Sequence, residues 1–267
     1  MADGTGSFLQ SSKGFIAKVY VMVELEARKL RHDPSELLTR AIQPALWLLV
    51  FGVVLDQIRL IPTGDFSYLE FLTPGVLAQS VLFISIFYGI TIVWERDLGI
   101  VQKFLVSPSS RNALVTGKAL SAGVRSLSQA LIVYILALVV GVGLDLRLMN
   151  ILLVGVTVVV GAAIFATLSL IIACLVKTRE RFMGIGQMIT MPLFFASNAI
   201  YPISIMPKWL QVIALGNPLT YMVDALRDLM IVGWVSEFGL ALDFAIMGVF
   251  ALVLILIAGR LYPRVGW

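Results

Sequence analysis

The sequence predicts an all-α integral membrane protein with six transmembrane helices, an N-terminal amphipathic interfacial helix, and re-entrant helices between the fifth and sixth spans. Three observations carry this. Of 267 residues, 59% are hydrophobic and only 13% charged, about half the charged share of an ordinary soluble domain. Runs of about 20 mostly apolar residues, the length that crosses a bilayer, recur along the chain. The basic residues are also lopsided. With six spans, fifteen lysines and arginines fall on the side that holds both termini and four on the other, with Arg125 unassigned. Lipid can solvate that much apolar surface where water cannot, and the basic bias places both termini in the cytoplasm.

The elements follow in chain order. Residues 1–12 are polar and rich in Gly and Ser, and they lack the charged start, apolar core and cleavage site of a signal peptide. They read as a flexible cytoplasmic tail. In 13–31, Ile16, Val19, Tyr20, Val23, Ala27 and Leu30 recur at helical spacing, while Lys18, Arg28, Lys29 and Arg31 fall off that stripe. A basic amphipathic helix suits the membrane interface; a soluble helix packed on a partner is the other reading. Pro34 discourages helix at Asp33 and ends the segment.

The spans are expected at about 38–58, 74–94, 114–141, 150–176, 182–203 and 240–259. The third contains Arg125; the fourth has no charge between Asn150 and Val176, and the fifth has none either. Residues 204–239 are too apolar for a hydrated loop, yet Pro and Gly interrupt them before any span is complete. Short helices over about 204–235 that dip into the membrane and return fit best, their irregular backbone covered by protein or water. A seventh span near 210–232 competes, but Asp224, Arg227 and Asp228 would sit at membrane depth.

Several chemistries are excluded. One cysteine, Cys174, permits no internal disulfide and no cysteine metal site, and one histidine, His32, permits neither a His-only zinc site nor H-E-x-x-H. No phosphate-binding loop is present, since Gly117-Lys118-Ala119 lacks the earlier glycine and the hydroxyl. Nothing here can hydrolyse ATP or form a covalent intermediate, and no cofactor or metal is expected in this chain.

Two polar segments stand out. Residues 94–111, W-E-R-D-L-G-I-V-Q-K-F-L-V-S-P-S-S-R, would form a short cytoplasmic helix with Leu98, Val101 and Leu105 on one face and Phe104 beside it. It is sized to plug into another protein, or equally to serve as a plain link between spans. In the second segment, Asn217-Pro218 suits a turn and a helix start. Asp224 and Arg227, at i,i+3, can pair on one face.

On these two segments the chain resembles the permease subunit of type-2 ABC exporters, the group with daunorubicin-resistance and nodulation-type permeases. The motifs are E-R-D-L-G-x-x-x-K-F-L-V-S-P at 95–108 and N-P-L-T-Y-x-x-D-A-L-R at 217–227, and the likeness spans about 14–262. It implies that 95–108 is a coupling helix, with Glu95, Arg96, Asp97, Leu98, Lys103, Phe104 and Leu105 touching or orienting a cytoplasmic ATPase. It implies re-entrant helices carrying Asn217, Pro218, Tyr221, Asp224 and Arg227. It also implies a pair of permease halves, most simply a homodimer, working with two separate ATPase subunits that bind ATP and Mg. The residues from 13 onward then form one ABC-2 type transmembrane domain.

Polarity within the first, second and fifth spans nominates Gln43, Gln79, Ser80, Ser85, Gln187, Thr190, Ser197 and Asn198 as pathway lining; bonding to a neighbouring helix is the plainer role for each. An amphipathic drug, lipid or lipid-linked molecule is the expected cargo. A carbohydrate or glycolipid is the alternative, kept open by Phe194, Phe195, Tyr201 and Trp209. From other classes, an ion-coupled secondary transporter would want acids near the midplane of its spans, and spans four and five have none. A membrane-embedded enzyme would want a nucleophile or a metal site.

Overall fold

The computed structural model describes residues 34–58, 61–98 and 111–261, with backbone alone at 34–38, 95, 97 and 111–115. The tail, the interfacial helix and residues 99–108 of the expected coupling helix lie outside the described residues. The described chain is helical. Helix α1 is continuous through Pro34–Ala45, a π-helical stretch Leu46–Gly52, and Val53–Ile58. Then come α2 (Tyr68–Tyr88), α3 (Ile90–Asp97), α4 (Arg111–Val140), α5 (Leu148–Leu175) and α6 (Arg179–Phe195). A 3-10 turn (Ile203–Ile205), α7 (Lys208–Leu215), α8 (Pro218–Met230) and α9 (Leu240–Leu261) complete the order.

Among the described residues, five helical stretches are long and apolar enough to cross a membrane: Thr39–Ile58, Tyr68–Trp94, Thr116–Val140, Leu148–Leu175 and Leu240–Leu261. Four of the six expected spans match closely. The second begins six residues earlier than the apolar run suggested, because Ser67 and Glu70 form a capping box: the Ser67 hydroxyl accepts from the Glu70 N–H, and the Glu70 carboxylate accepts from the Ser67 N–H at 2.9 Å. Asp56 adds a bond from the Tyr68 N–H at 2.6 Å. Pro74 therefore sits nearly two turns inside α2 rather than at its start. The expected fifth span, 182–203, is instead a 17-residue helix, α6, ending at Phe195. At about 1.5 Å per residue it is roughly 25 Å long, a little short of a hydrocarbon core of about 30 Å.

Proline shapes α1 as well. Pro44 has no N–H to give the Arg40 carbonyl, and Gln129 of α4 takes the vacancy, donating from Nε2 at 3.3 Å.

The core lies around α8, which packs on α2, α5 and α9 and buries eleven of its thirteen residues, Asp224 and Arg227 among them. The turn between α6 and α7 crosses α2 so closely that a side chain at Gly75 would overlap the Ala199 carbonyl. A second, smaller apolar cluster joins Ile92 and Val93 of α3 to Leu170, Ala173 and Cys174 of α5, Phe182 of α6 and Ala258 of α9. The outward faces of α1 and α9 remain apolar and exposed.

Candidate functional site

The N-P-L-T-Y segment is a junction of three helix ends. Asn217 caps α8, its Oδ1 accepting from the Leu219 N–H at 3.0 Å, while its Nδ2 donates to the carbonyls of Leu193 (2.7 Å) and Ala196 (3.2 Å) at the end of α6. Pro218 occupies the first turn, where a missing N–H costs nothing. The Tyr221 hydroxyl donates to the Leu215 carbonyl at 2.7 Å, closing α7. These side chains satisfy backbone groups that helix ends leave unpaired.

Asp224 and Arg227 are both buried, and they form no ion pair. This corrects the pairing expected from their i,i+3 spacing, and the reason is that each finds other partners. Arg227 lies 3.7 Å over the Phe71 ring and 5.6 Å from Trp234. Its Nε donates to the Phe71 carbonyl at 3.1 Å, and its Nη2 donates to the Asn198 carbonyl. Asp224 accepts from the Ser236 hydroxyl at 2.7 Å and the Phe238 N–H at 3.1 Å. Ser236 also lies 2.9 Å from Asp243 of α9. Arg227 thus ties α8 to α2 and to the turn after α6, and Asp224 ties it to the loop before α9. On the same flank the Asp145 N–H donates to the Met230 carbonyl at 2.7 Å, and Val232 donates to Gly143 at 3.1 Å. Asp145 is held by Arg147 at 2.5 Å; hydrogen bonds from Arg147 keep its carboxyl below the usual value of 3.8.

At the opposite end, Glu95, Arg96 and Asp97 are the last residues of α3, and Leu98 follows it, 68% exposed. Arg96 donates to the carbonyls of Val176 (2.9 Å) and Lys177 (2.5 Å). Arg179 lies 4.2 Å over Trp94. Lys103, Phe104 and Leu105 lie outside the described residues.

The candidate lining residues divide in two. Gln79, Ser80, Ser85, Thr190, Ser197 and Asn198 are buried inside the protomer. The hydroxyls of Ser80, Thr190 and Ser197 bond back to carbonyls of their own helix or its last turn, at Val76, Gly186 and Phe194. None of the six lies on the exposed surface of the protomer, though Ser80 and Asn198 border cavities. Gln187 does, on the exposed side of α6 with Met183 and Met188. Gln43 is half-buried in a cavity of about 240 Å³ with Arg40, Ser80 and Gln129. Trp47 of α1 meets Phe194 of α6 edge-on at 5.6 Å, so the exposed apolar faces of α1 and α6 adjoin.

Residues 17–231 match the model of the ABC-2 type transporter family. The chain belongs to the ABC-2 type transporter family. It is a multi-pass membrane permease subunit without an ATPase domain of its own. Among named relatives, the transport permease ycf38 of Cyanophora paradoxa is 28% identical over 225 residues, covering 80% of this chain and 74% of the relative. The daunorubicin resistance ABC transporter permease protein DrrB1 of Streptomyces coeruleorubidus is 27% identical over 206 residues, 75% and 70% of the two chains. The inner membrane transport permease YadH of Escherichia coli K12 is 22% identical over 243 residues, 89% and 91% of the two chains.

Sequence reasoning singled out these two segments and did not foresee the partners their described residues find. Ser67 and Glu70 carried a readable S-x-x-E signal. Ser236, Asp243 and Trp94 carried none, because their importance depends on what lies opposite them.

Proposed function

We propose that this ABC-2 permease is one half of an ATP-driven exporter that moves an amphipathic drug, lipid or lipid-linked molecule out of the cytoplasm or the inner leaflet. Two copies pair, and two ATPase subunits supply ATP and Mg. The observation that carries this is the family match, which runs from before α1 through both the segment after α3 and the α8 junction. The adjoining apolar faces of α1 and α6, rich in Ile, Leu, Met and Phe, support an amphipathic cargo passing between two such halves. The daunorubicin-resistance name of one relative points the same way.

In this reading α6 is the fifth crossing, completed by the turn after it, and α7 and α8 are re-entrant helices at the outer end. Both termini are then cytoplasmic, as the fifteen-to-four basic bias requires. ATP binding closes the ATPase pair, 95–108 carries that movement into the spans, and transport follows because cargo affinity differs between the inward and outward states.

Reconstituted vesicles test it. Fluorescent amphiphile should move only with ATP and the ATPase present, and an imposed proton or sodium gradient should not replace ATP. Gradient-driven movement without ATP would replace this reading with a secondary transporter.

A further inference from the structure

Arg96 stands at the entry to the segment expected to dock on an ATPase, yet its guanidinium bonds the end of α5. Val176 and Lys177 follow α5 directly, where carbonyls lose their helical partners. The planar fork bonds both of them, at 2.9 and 2.5 Å. Such charge-assisted bonds are the stronger class, and a lysine, a point charge, cannot copy the geometry. A second strap crosses the other way: Arg179 of α6 lies 4.2 Å over Trp94 of α3. Beneath both, Ile92 and Val93 are buried against Leu170, Ala173 and Phe182, in a cluster separate from the main core.

The upper limit of this unit is Gly89. Helix α2 ends at Tyr88 and α3 begins at Ile90. The Ile86 carbonyl at the break accepts a bond from the Ser169 hydroxyl of α5. A side chain at position 89 would overlap Ser169 and press on Phe182, with the Phe182 ring 2.9 Å from its Cβ. The Gly89 N–H also donates to the Ile86 carbonyl, at 3.3 Å, so the Ser169 hydroxyl pins a carbonyl of the last turn of α2, and a side chain at position 89 would have to displace it.

We propose that Arg96 is a positioning residue that locks α3, the 176–178 turn and the start of α6 into one body, so that a push on residues 99–108 turns this body about Gly89 and reaches α6. This rests on the exporter reading, in which an ATPase does the pushing. Arg96 then acts on the permease and not on the ATPase surface.

The test uses the full chain with its ATPase in lipid nanodiscs, Cys174 replaced by Ala, and a fluorophore on Met188→Cys, an exposed site on α6. Arg96→Ala should hold the ATPase at wild-type stoichiometry, while the fluorophore response to trapped ATP falls at least about fivefold, the low end of ordinary coupling between sites. Arg96→Lys should fall between the two, and it serves for comparison if Arg96→Ala does not fold. Spin labels on Leu98→Cys and Lys177→Cys should keep one narrow distance with and without ATP, and should broaden in Arg96→Ala. An undiminished α6 response in Arg96→Ala, or a 98–177 distance that changes with ATP in the wild type, would overturn the proposal. If the wild type recruits no ATPase, it is the exporter reading that fails. The strut is then judged on the chain alone, where equal widths of the 98–177 distance with and without Arg96 overturn it.

Discussion

Asn217→Asp separates the two jobs of one side chain. Aspartate is as good a helix N-cap as asparagine, so if capping α8 were the only role the variant would behave as wild type. The structure assigns Nδ2 two further bonds, to Leu193 and Ala196 at 2.7 and 3.2 Å, and a carboxylate can donate neither. Removing the cap costs about 1 kcal/mol, and each lost internal bond about 1 kcal/mol net. Asn217→Ala should therefore cost about 3 kcal/mol. Asn217→Asp keeps the cap, but it loses both donors and brings a charge to a site only 3% exposed. Its cost is at least about 2 kcal/mol. On the usual scale of 2–4 °C per kcal/mol for chains of this size, thermal melting in detergent should drop by roughly 4–8 °C or more for Asn217→Asp. A wild-type melting curve for Asn217→Asp would refute the bonds to the end of α6.

Four other expectations follow. Gly75→Ala should destabilise the fold by about 1–3 kcal/mol, because its Cβ meets the Ala199 backbone, whereas Gly248→Ala, in open space, should be neutral or mildly stabilising in the same melting assay. Asp224→Ala and Arg227→Ala, each breaking a separate set of bonds, should combine with a coupling well below the about 3 kcal/mol of a broken buried ion pair; a double-mutant cycle measures it. Charged residues in place of Phe104 and Leu105 should uncouple ATP hydrolysis from transport without blocking membrane insertion, seen as hydrolysis that no longer responds to cargo. The Asp145 carboxyl is held low in the fold, so its contribution is complete above its ordinary value of 3.8 and is lost as pH falls below that value toward its lowered one. Hydrogen exchange at residues 141–147 should rise in that acid window, and Asp145→Asn should remove the pH dependence.

What the sequence made legible follows from what one-dimensional patterns record. Hydropathy over about 20 residues located α1, α4, α5 and α9 closely, since each is a single apolar run with polar ends. It misplaced the start of α2, because Tyr68–Thr73 includes Glu70 and precedes Pro74, which masks a capping box as a loop. It overran the end of α6, because the chain turns within 196–200, an uncharged Ala-Ser-Asn-Ala-Ile run that is buried in the protomer. Helical spacing rightly put Asp224 and Arg227 on one helix and wrongly paired them. The winning partners, Phe71 and Asn198, lie 156 and 29 residues away from Arg227, and no local pattern reports them. The same holds for Arg96, whose carbonyl partners are 80 and 81 residues distant. Nor could polarity report that Ser80 and Thr190 bond carbonyls four residues earlier in their own helices, as a Ser or Thr in an apolar helix commonly does.

The most direct test of ATP-driven export through this chain is purification of the tagged protein from its native membrane in mild detergent, with mass spectrometry of what accompanies it in stoichiometric amount. An ATPase subunit with a phosphate-binding loop, lost when Phe104 and Leu105 are charged, is the predicted result. A chain that comes alone, with ATP added and with a hydrolysis-dead ATPase background, would contradict it.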